Sequence, residues 1–335
     1  MYHTIIVTMN SNEIDINEWI VHNILLGFEH IYIYDDNSNP SIKEIIDELP
    51  KNIKECVTIY RLDSHYEINK GEYSSDEGEN LLYFDENVYN KHKWNKQRYL
   101  MNYFLLKNRN ISKYCFFCDI DEFIYLQDDN SIVDYLCKMS EYDIIYIPWI
   151  YYGTSYKIEK PDGLLIDHFR CCRDKYHCGK SIIKMDKVEE ILCIHEINND
   201  SKYNRYEYDK DAELFSLPVH INHYITKSYK SVLRKKKEHC LGQTNEFYRS
   251  IPDILGLGYV LNGIRNKHIM KKYVNKINSI LNKVLIDTEV DYESYSNSLI
   301  SVNGVILTHD YIDKHGNIEL INEIINSDDV KYIII

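Results

Sequence analysis

The feature that most limits the fold is the order strand, helix, strand at the N-terminus. The run from His3 to Thr8 is rich in β-branched residues and reads as a strand. From Ile16 onward Ile16, Trp19, Ile20 and Ile24 fall near helical spacing, and Gly27 supplies a stop. His30 to Tyr34 is a second strand, broken by the polar run Asp35 to Pro40. A βαβ unit implies a parallel sheet, and open parallel sheets bind ligands in the crevice beyond their strand carboxyl ends. Here those ends are Thr8 to Asn10 and Asp35 to Ser38. At the second, Asp35 and the residues after it suit an Asx-type turn.

A second stretch carries the chemistry. Tyr114 to Cys118 is a short apolar run, and Asp119, Asp121 and Glu122 follow it directly. Two like charges about 4 Å apart repel by roughly 4 kcal/mol at an effective dielectric of about 20, so acids gathered at a strand end call for a counter-cation. If the strand continues, its alternation puts Asp119 and Asp121 on one side, facing one metal ion. The other Asp-x-Asp, at Asp209 and Asp211, lies in a polar run and reads as solvated surface. Cys115 and Cys118 mimic a zinc half-site, but no matching half-site follows and their side chains face opposite ways on a strand.

Further along, Ser41 to Leu49 reads as a helix and Val57 to Arg61 as a third strand, with a long polar loop from Asp63 to Tyr89. Lys93 to Lys107 reads as a helix with Leu100, Phe104 and Leu105 inward, and Ser131 to Met139 as another. Asp143 to Pro148 is a strand whose proline suggests an edge or an end. Short strands are expected at 149–155, 163–171, 180–185, 190–195 and 214–224, as antiparallel additions to the parallel sheet. A basic helix is expected at 227–239. Beyond it a helix over 264–285, a strand at 302–308, a helix near 318–325 and a terminal apolar run at 332–335 make a mainly helical C-terminal region.

Composition sets bounds. Among 335 residues, 39 basic against 52 acidic give a net charge of −13, which argues against nucleic acid or an anionic membrane as the main partner. No signal peptide and no membrane-spanning run is visible, and nine cysteines without a disulfide framework suit a reducing compartment. A soluble, cytoplasmic protein is expected, in the host cytoplasm if the source is viral.

Taken in order, Glu18, Trp19 and His22; Gly27 and Phe28; Ile33 to Ser38; Gln97; Asp119 to Phe123; Trp149 with Tyr152 to Ser155; Phe169; Lys180 and Ser181; His195; His223 and Tyr224; and Lys227 and Ser228 resemble glycosyltransferase family 92. More loosely, Asp35 to Ser38 and Asn102 look like glycosyltransferase family 2. The resemblance covers residues 1–245 and implies a GT-A fold, with a nucleotide-sugar-binding half at 1–125, an acceptor half at 126–245 and an accessory region at 246–335. It implies a metal-dependent, inverting hexosyltransferase that uses a UDP-sugar and Mn²⁺ or Mg²⁺ and acts on a glycan or glycoprotein acceptor.

On that resemblance Asp121 is the direct metal ligand, Asp119 touches ribose or metal, and His223 completes the metal shell, with His220 and His195 as alternatives. Thr8, Asn10, Asp35, Asp36, Gln97, Arg98, Asp119 and Lys227 are the expected donor-binding residues. The acceptor base is open among Glu196, Asp167, Asp174 and Asp211. Tyr156 and Lys157 replace the expected Gly-His, which bears on acceptor identity. Trp149, Tyr151 and Tyr152 suit either sugar stacking or a core. Two other readings stay open: an inert nucleotide- or sugar-binding protein of the same fold, and a metal-dependent nucleotidyltransferase. The latter usually shows a glycine-rich phosphate loop, and Thr8 to Glu13 contains no glycine.

Overall fold

The computed structural model describes residues 1–10, 12–13, 15–62, 96–155, 157, 159–195, 201–228, 230–231, 264–265, 270–281, 305–306 and 333–334. The expected loop at 63–89, candidate base Glu196, most of the basic stretch 227–239 and the expected helix near 318–325 lie outside the described residues. The chain forms two compact units, Met1–Trp149 with Tyr176–Asn222, and Ile150–Lys175 with His223–Ile335.

The first unit is built on a mixed sheet. Its parallel half consists of β1 (Tyr2–Asn10), β2 (His30–Asp35), β3 (Val57–Arg61) and β4 (Ser112–Phe117). In register, Thr8 faces Ile33, Asn10 faces Asp35, Asp35 faces Arg61 and Val7 faces Phe117. The other half adds β5 (Glu122–Leu126), β6 (Ile144–Tyr151), β8 (His177–Lys184) and β10 (Val219–His223), with β8 antiparallel to both β4 and β6. The strand order is β3-β2-β1-β4-β8-β6-β10-β5, and the short β9 (Arg205–Tyr206) pairs alongside β6. This is the α/β plan expected of a GT-A fold: a Rossmann-like parallel half with antiparallel additions. Every residue of β2 is buried, as befits a parallel strand covered on both faces.

Helix α1 (Ile16–Leu26) ends where the glycine predicts. Gly27 adopts φ 100°, and its N–H reaches the carbonyls of Asn23 and Ile24. Two short helices follow, α2 (Ile42–Ile46), capped by Ser41, and α3 (Lys51–Lys54). Helix α4 (Lys96–Asn108) buries Leu100, Phe104 and Leu105 as expected, against a core that includes Ile5, Tyr32 and Cys115. Helix α5 (Ile132–Lys138) is opened by Ser131, whose hydroxyl accepts the Asp134 N–H at 3.1 Å.

In the second unit, β7 (Cys171–Cys172) pairs antiparallel with β11 (Ile264–Arg265), and Cys172 also bridges Tyr152. Helix α6 (Leu165–His168) contacts α7 (Lys271–Leu281), which buries Tyr273, Val274 and Ile277. Strands β12 (Val305–Ile306) and β13 (Ile333–Ile334) pair in parallel.

Several expectations need correction. The strand expected over 163–171 contains helix α6 and reaches strand only at Cys171, the first residue of β7, because a short apolar run such as Leu164 to Ile166 fits either period. No strand forms at 190–195; the side chains of Asn102 and Arg98 occupy its backbone groups instead. The helix expected over 264–285 is described at Lys271–Leu281, and 264–265 is strand. Pro148 sits inside the sheet, between β8 and β10, at a register shift between Pro148 and Trp149. A bulge removes the need for the N–H that proline lacks.

Opposite that bulge lies Gly179. A Cβ there would come 1.8 Å from the Ile147 carbonyl oxygen, a backbone atom that cannot swing aside. Gly179→Ala is therefore expected to destabilise the protein by roughly 3 kcal/mol, read as a lower thermal midpoint. An unchanged midpoint would show that the bulge relaxes freely.

Candidate functional site

The carboxyl ends of the parallel strands bring together most of the residues expected there. Asp35, 1% exposed, is consumed locally: Oδ1 accepts the Ser38 N–H at 2.9 Å, and Oδ2 accepts the Ile42 N–H at 3.1 Å and Arg61 Nη1 at 3.2 Å. Asn10 donates to Ser38 Oγ at 2.8 Å and accepts the Glu13 N–H at 3.2 Å, so the turn after β2 is fastened to β1. The Asx-turn role is thus realised at Asp35. The neighbouring Asp36 points elsewhere, and its carboxylate accepts a hydrogen bond from Lys96. Thr8 is 2% exposed, and among the described residues its hydroxyl has no hydrogen-bond partner.

The acidic stretch is a turn, which corrects the strand-alternation argument. Strand β4 stops at Phe117, β5 starts at Glu122, and residues 118–121 link them. Glu122 closes the turn: its Oε2 accepts the Asp119 N–H at 3.0 Å, and its own N–H reaches the Asp119 carbonyl at 3.2 Å. Both carboxylate oxygens of Asp119 are engaged. Gln97 Nε2 donates to Oδ1 at 2.5 Å and Lys180 Nζ to Oδ2 at 3.0 Å. The same ammonium lies 3.8 Å from Glu122 Oε1. Asp121 is buried at 7% exposure.

Lys180 is the residue whose role the sequence did not disclose. Its side chain is 0% exposed, while that of Asp119 is 34% exposed. Burial alone pulls the ammonium's pKa down, but the carboxylates of Asp119 and Glu122 outweigh it and hold the group above the ordinary lysine range. Glu122 is pushed well above the ordinary carboxylate range by burial, which outweighs the opposing pull of Lys180; Asp119 and Asp121 add to the rise. The available signal was the one charged residue in the short run from Gly179 to Ile183. Cys115 and Cys118 are both held well above the ordinary thiol range by burial, against the thiolate that zinc requires.

Two further elements support the turn. From helix α1, Trp19 Nε1 donates to the Glu122 carbonyl at 2.9 Å, and His22 Nε2 lies 2.9 Å from the Ile124 carbonyl. This gives the Trp19 and His22 pattern a physical purpose: it grips the backbone just past the acids. On the other side, the Trp149 ring lies 5.9 Å from the Lys180 ammonium, and His195 stands edge-on to that ring with centroids 5.1 Å apart. Trp149 is thus core packing for the turn, 4% exposed.

The remaining candidates are placed as follows. Arg98 donates to the Leu192 carbonyl at 3.0 Å. His220 is 0% exposed, with ring centroids 4.9 Å from Tyr125, 6.1 Å from Tyr176 and 5.9 Å from Phe215, which is a packing environment. In the second unit, His223 is 7% exposed and packs 5.4 Å from the Tyr151 ring, while Lys227 is 2% exposed at φ 50°. Asp167 pairs with Arg170 Nη2 at 2.5 Å. Asp174 and Asp211 are exposed. Among the described residues no group of three His, Cys, Asp or Glu side chains is placed to hold a metal, and no helix is long and apolar enough to cross a membrane.

A mixed α/β sheet whose parallel strands end in Asn10, Asp35 and the Asp119 turn provides the framework of a glycosyltransferase. The family model described as glycosyltransferase family 92 matches residues 8–254, well over half of the sequence, and the chain belongs to that family. A search of curated proteins gives no match. Solved structures similar to it include apo mouse xyloside xylosyltransferase 1, at 8% identity over 55% of this chain and 67% of that one, with a TM-score of 0.26. UDP-glucose pyrophosphorylase complexed with UDP-glucose is 10% identical over 57% and 72%, with a TM-score of 0.25. An active-site mutant of LgtC is 10% identical over 78% and 97%, with a TM-score of 0.28. At these scores none of the three bears on the role of any residue.

If the Trp19 hydrogen bond holds β5, Trp19→Phe should leave the buried Glu122 carbonyl unpaired at a cost of roughly 1–3 kcal/mol. Denaturant unfolding of the variant reads this directly, and a midpoint equal to wild type would assign the indole to packing alone.

Proposed function

We propose that this glycosyltransferase moves a hexose from a UDP-linked nucleotide-sugar to a hydroxyl of a glycan or protein-linked glycan, with inversion. The observation that carries the reading is the Asp119 turn, fixed by Gln97 and Lys180, at the carboxyl end of β4 beside that of β1. Asp119 presents its partly exposed carboxylate to the ribose or to a bound cation, and Asp121 is the direct ligand of that cation. The hydroxyl of Thr8 and the carboxylate of Asp36 serve the nucleoside. Asn10 and Asp35 act through the turn that they fasten.

The donor set of hard carboxylate oxygens fits Mg²⁺ or Mn²⁺ taken up together with phosphates and water. When bound, such an ion offsets the charge that builds on the departing diphosphate.

Calorimetry with UDP is expected to show binding in Mn²⁺ and its loss in EDTA; binding untouched by chelation would sink the metal-bridged donor. Asp121→Ala should abolish hydrolysis of UDP-hexoses with the fold retained, and a variant that still turns over would remove Asp121 from the site. For the acceptor step, amide substitution of Glu196, Asp167, Asp174 and Asp211 in turn should identify one position where kcat falls by about 10²–10⁴. A uniform response across the four would place the base elsewhere.

A further inference from the structure

We propose that Lys180 is the resident counter-cation of the acidic turn: a positioning residue whose buried ammonium fixes Asp119 in its ligand-facing orientation whether or not a donor or metal is bound. The assignment of that orientation to a donor rests on the proposed function; the charge compensation does not.

Three observations carry the proposal. First, the ammonium has no exposure at all, and among the described residues the carboxylates paired with it are Asp119 at 3.0 Å and Glu122 at 3.8 Å. Second, the geometry of Asp119 is over-determined. Gln97 takes one oxygen, Lys180 the other, and Glu122 holds the backbone N–H. A carboxylate bound at both oxygens and at its own amide has one orientation, which is what a pre-formed binding group requires. Third, Lys180 is itself rigidly placed. It lies on β8 opposite Ile147 of β6, one residue from Gly179, whose lack of a side chain lets the two strands close. Trp149 lies beside the ammonium, 5.9 Å from ring centre to Nζ. Repulsion among the acids, which the sequence alone would hand to a metal, is thus met in part by the chain itself.

The test is a thermal double-mutant cycle on the full-length protein without ligand, using Lys180→Met, Asp119→Asn and the pair together. Asp119→Asn strands a buried ammonium and should lower the midpoint by on the order of 10 °C. Removing both charges should restore at least half of that loss. A double variant no more stable than Asp119→Asn, or one that fails to fold, overturns the proposal, since neither charge is then left unpaired by its partner's removal. A second readout separates charge from packing. Millimolar Mn²⁺ alone should raise the midpoint of Lys180→Met by several degrees more than that of wild type, because the acids then lack their internal cation; an equal response overturns the assignment. UDP binding to wild type is measured in parallel. Its absence would refute the donor reading and leave the cycle to decide the role of Lys180 on its own.

Discussion

The buried ammonium of Lys180 between Asp119 and Glu122 is the interaction on which the site depends. Removing a lysine and a carboxylate from water costs several kcal/mol per ion, and the attraction between them returns little more than that cost. Net stability is therefore a poor reason for such a pair. Breaking it by deleting one partner costs about 3–5 kcal/mol, because a charge is then left in the interior. That asymmetry makes the pair a device for specifying geometry. Here the geometry is that of a four-residue link between β4 and β5, whose acids would otherwise repel one another and splay toward solvent.

Helix α1 completes the support from the other side. Residues three apart on a helix share a face, and carbonyls two apart on a strand point the same way, so Trp19 and His22 can meet the carbonyls of Glu122 and Ile124 together. The contact is to backbone and does not depend on which side chains β5 carries. Consequently the helix of the first βαβ unit, which sequence periodicity alone reveals, doubles as the clamp that sets where the acidic turn ends and β5 begins.

The parallel half of the sheet was legible because its signals are local. A β-branched run, a helical stripe ending at Gly27 and a polar break at Asp35 each lie within a few residues, and each appears where expected. The acidic turn was legible as a cluster and misread in its form, since Asp119 and Asp121 lie in a turn and strand alternation does not apply to them. Its cation was hidden for a different reason: Lys180 is 61 residues from Asp119 and meets it only through the antiparallel pairing of β8 with β4. The segments 163–171 and 190–195 failed because short apolar runs fit two periods and tertiary hydrogen bonds decided between them.

The adjacent acids Asp35 and Asp36 show how one local motif is split by its tertiary surroundings. Asp35 turns inward and spends its carboxylate on the Ser38 and Ile42 amides and Arg61, which shapes the loop after β2. Asp36 turns toward helix α4 and meets Lys96, and the very next residue, Gln97, holds Asp119 beyond β4. Consecutive residues at the start of one helix therefore bind acids that follow two strands flanking β1. Helix α4 is in turn held by Asn102, which pairs with both the N–H and the carbonyl of Ile191 at 2.8 and 2.9 Å. Displacing α4 would move both acids at once. The position of this helix, set by Asn102, therefore governs the spacing between the Asp36 and Asp119 carboxylates.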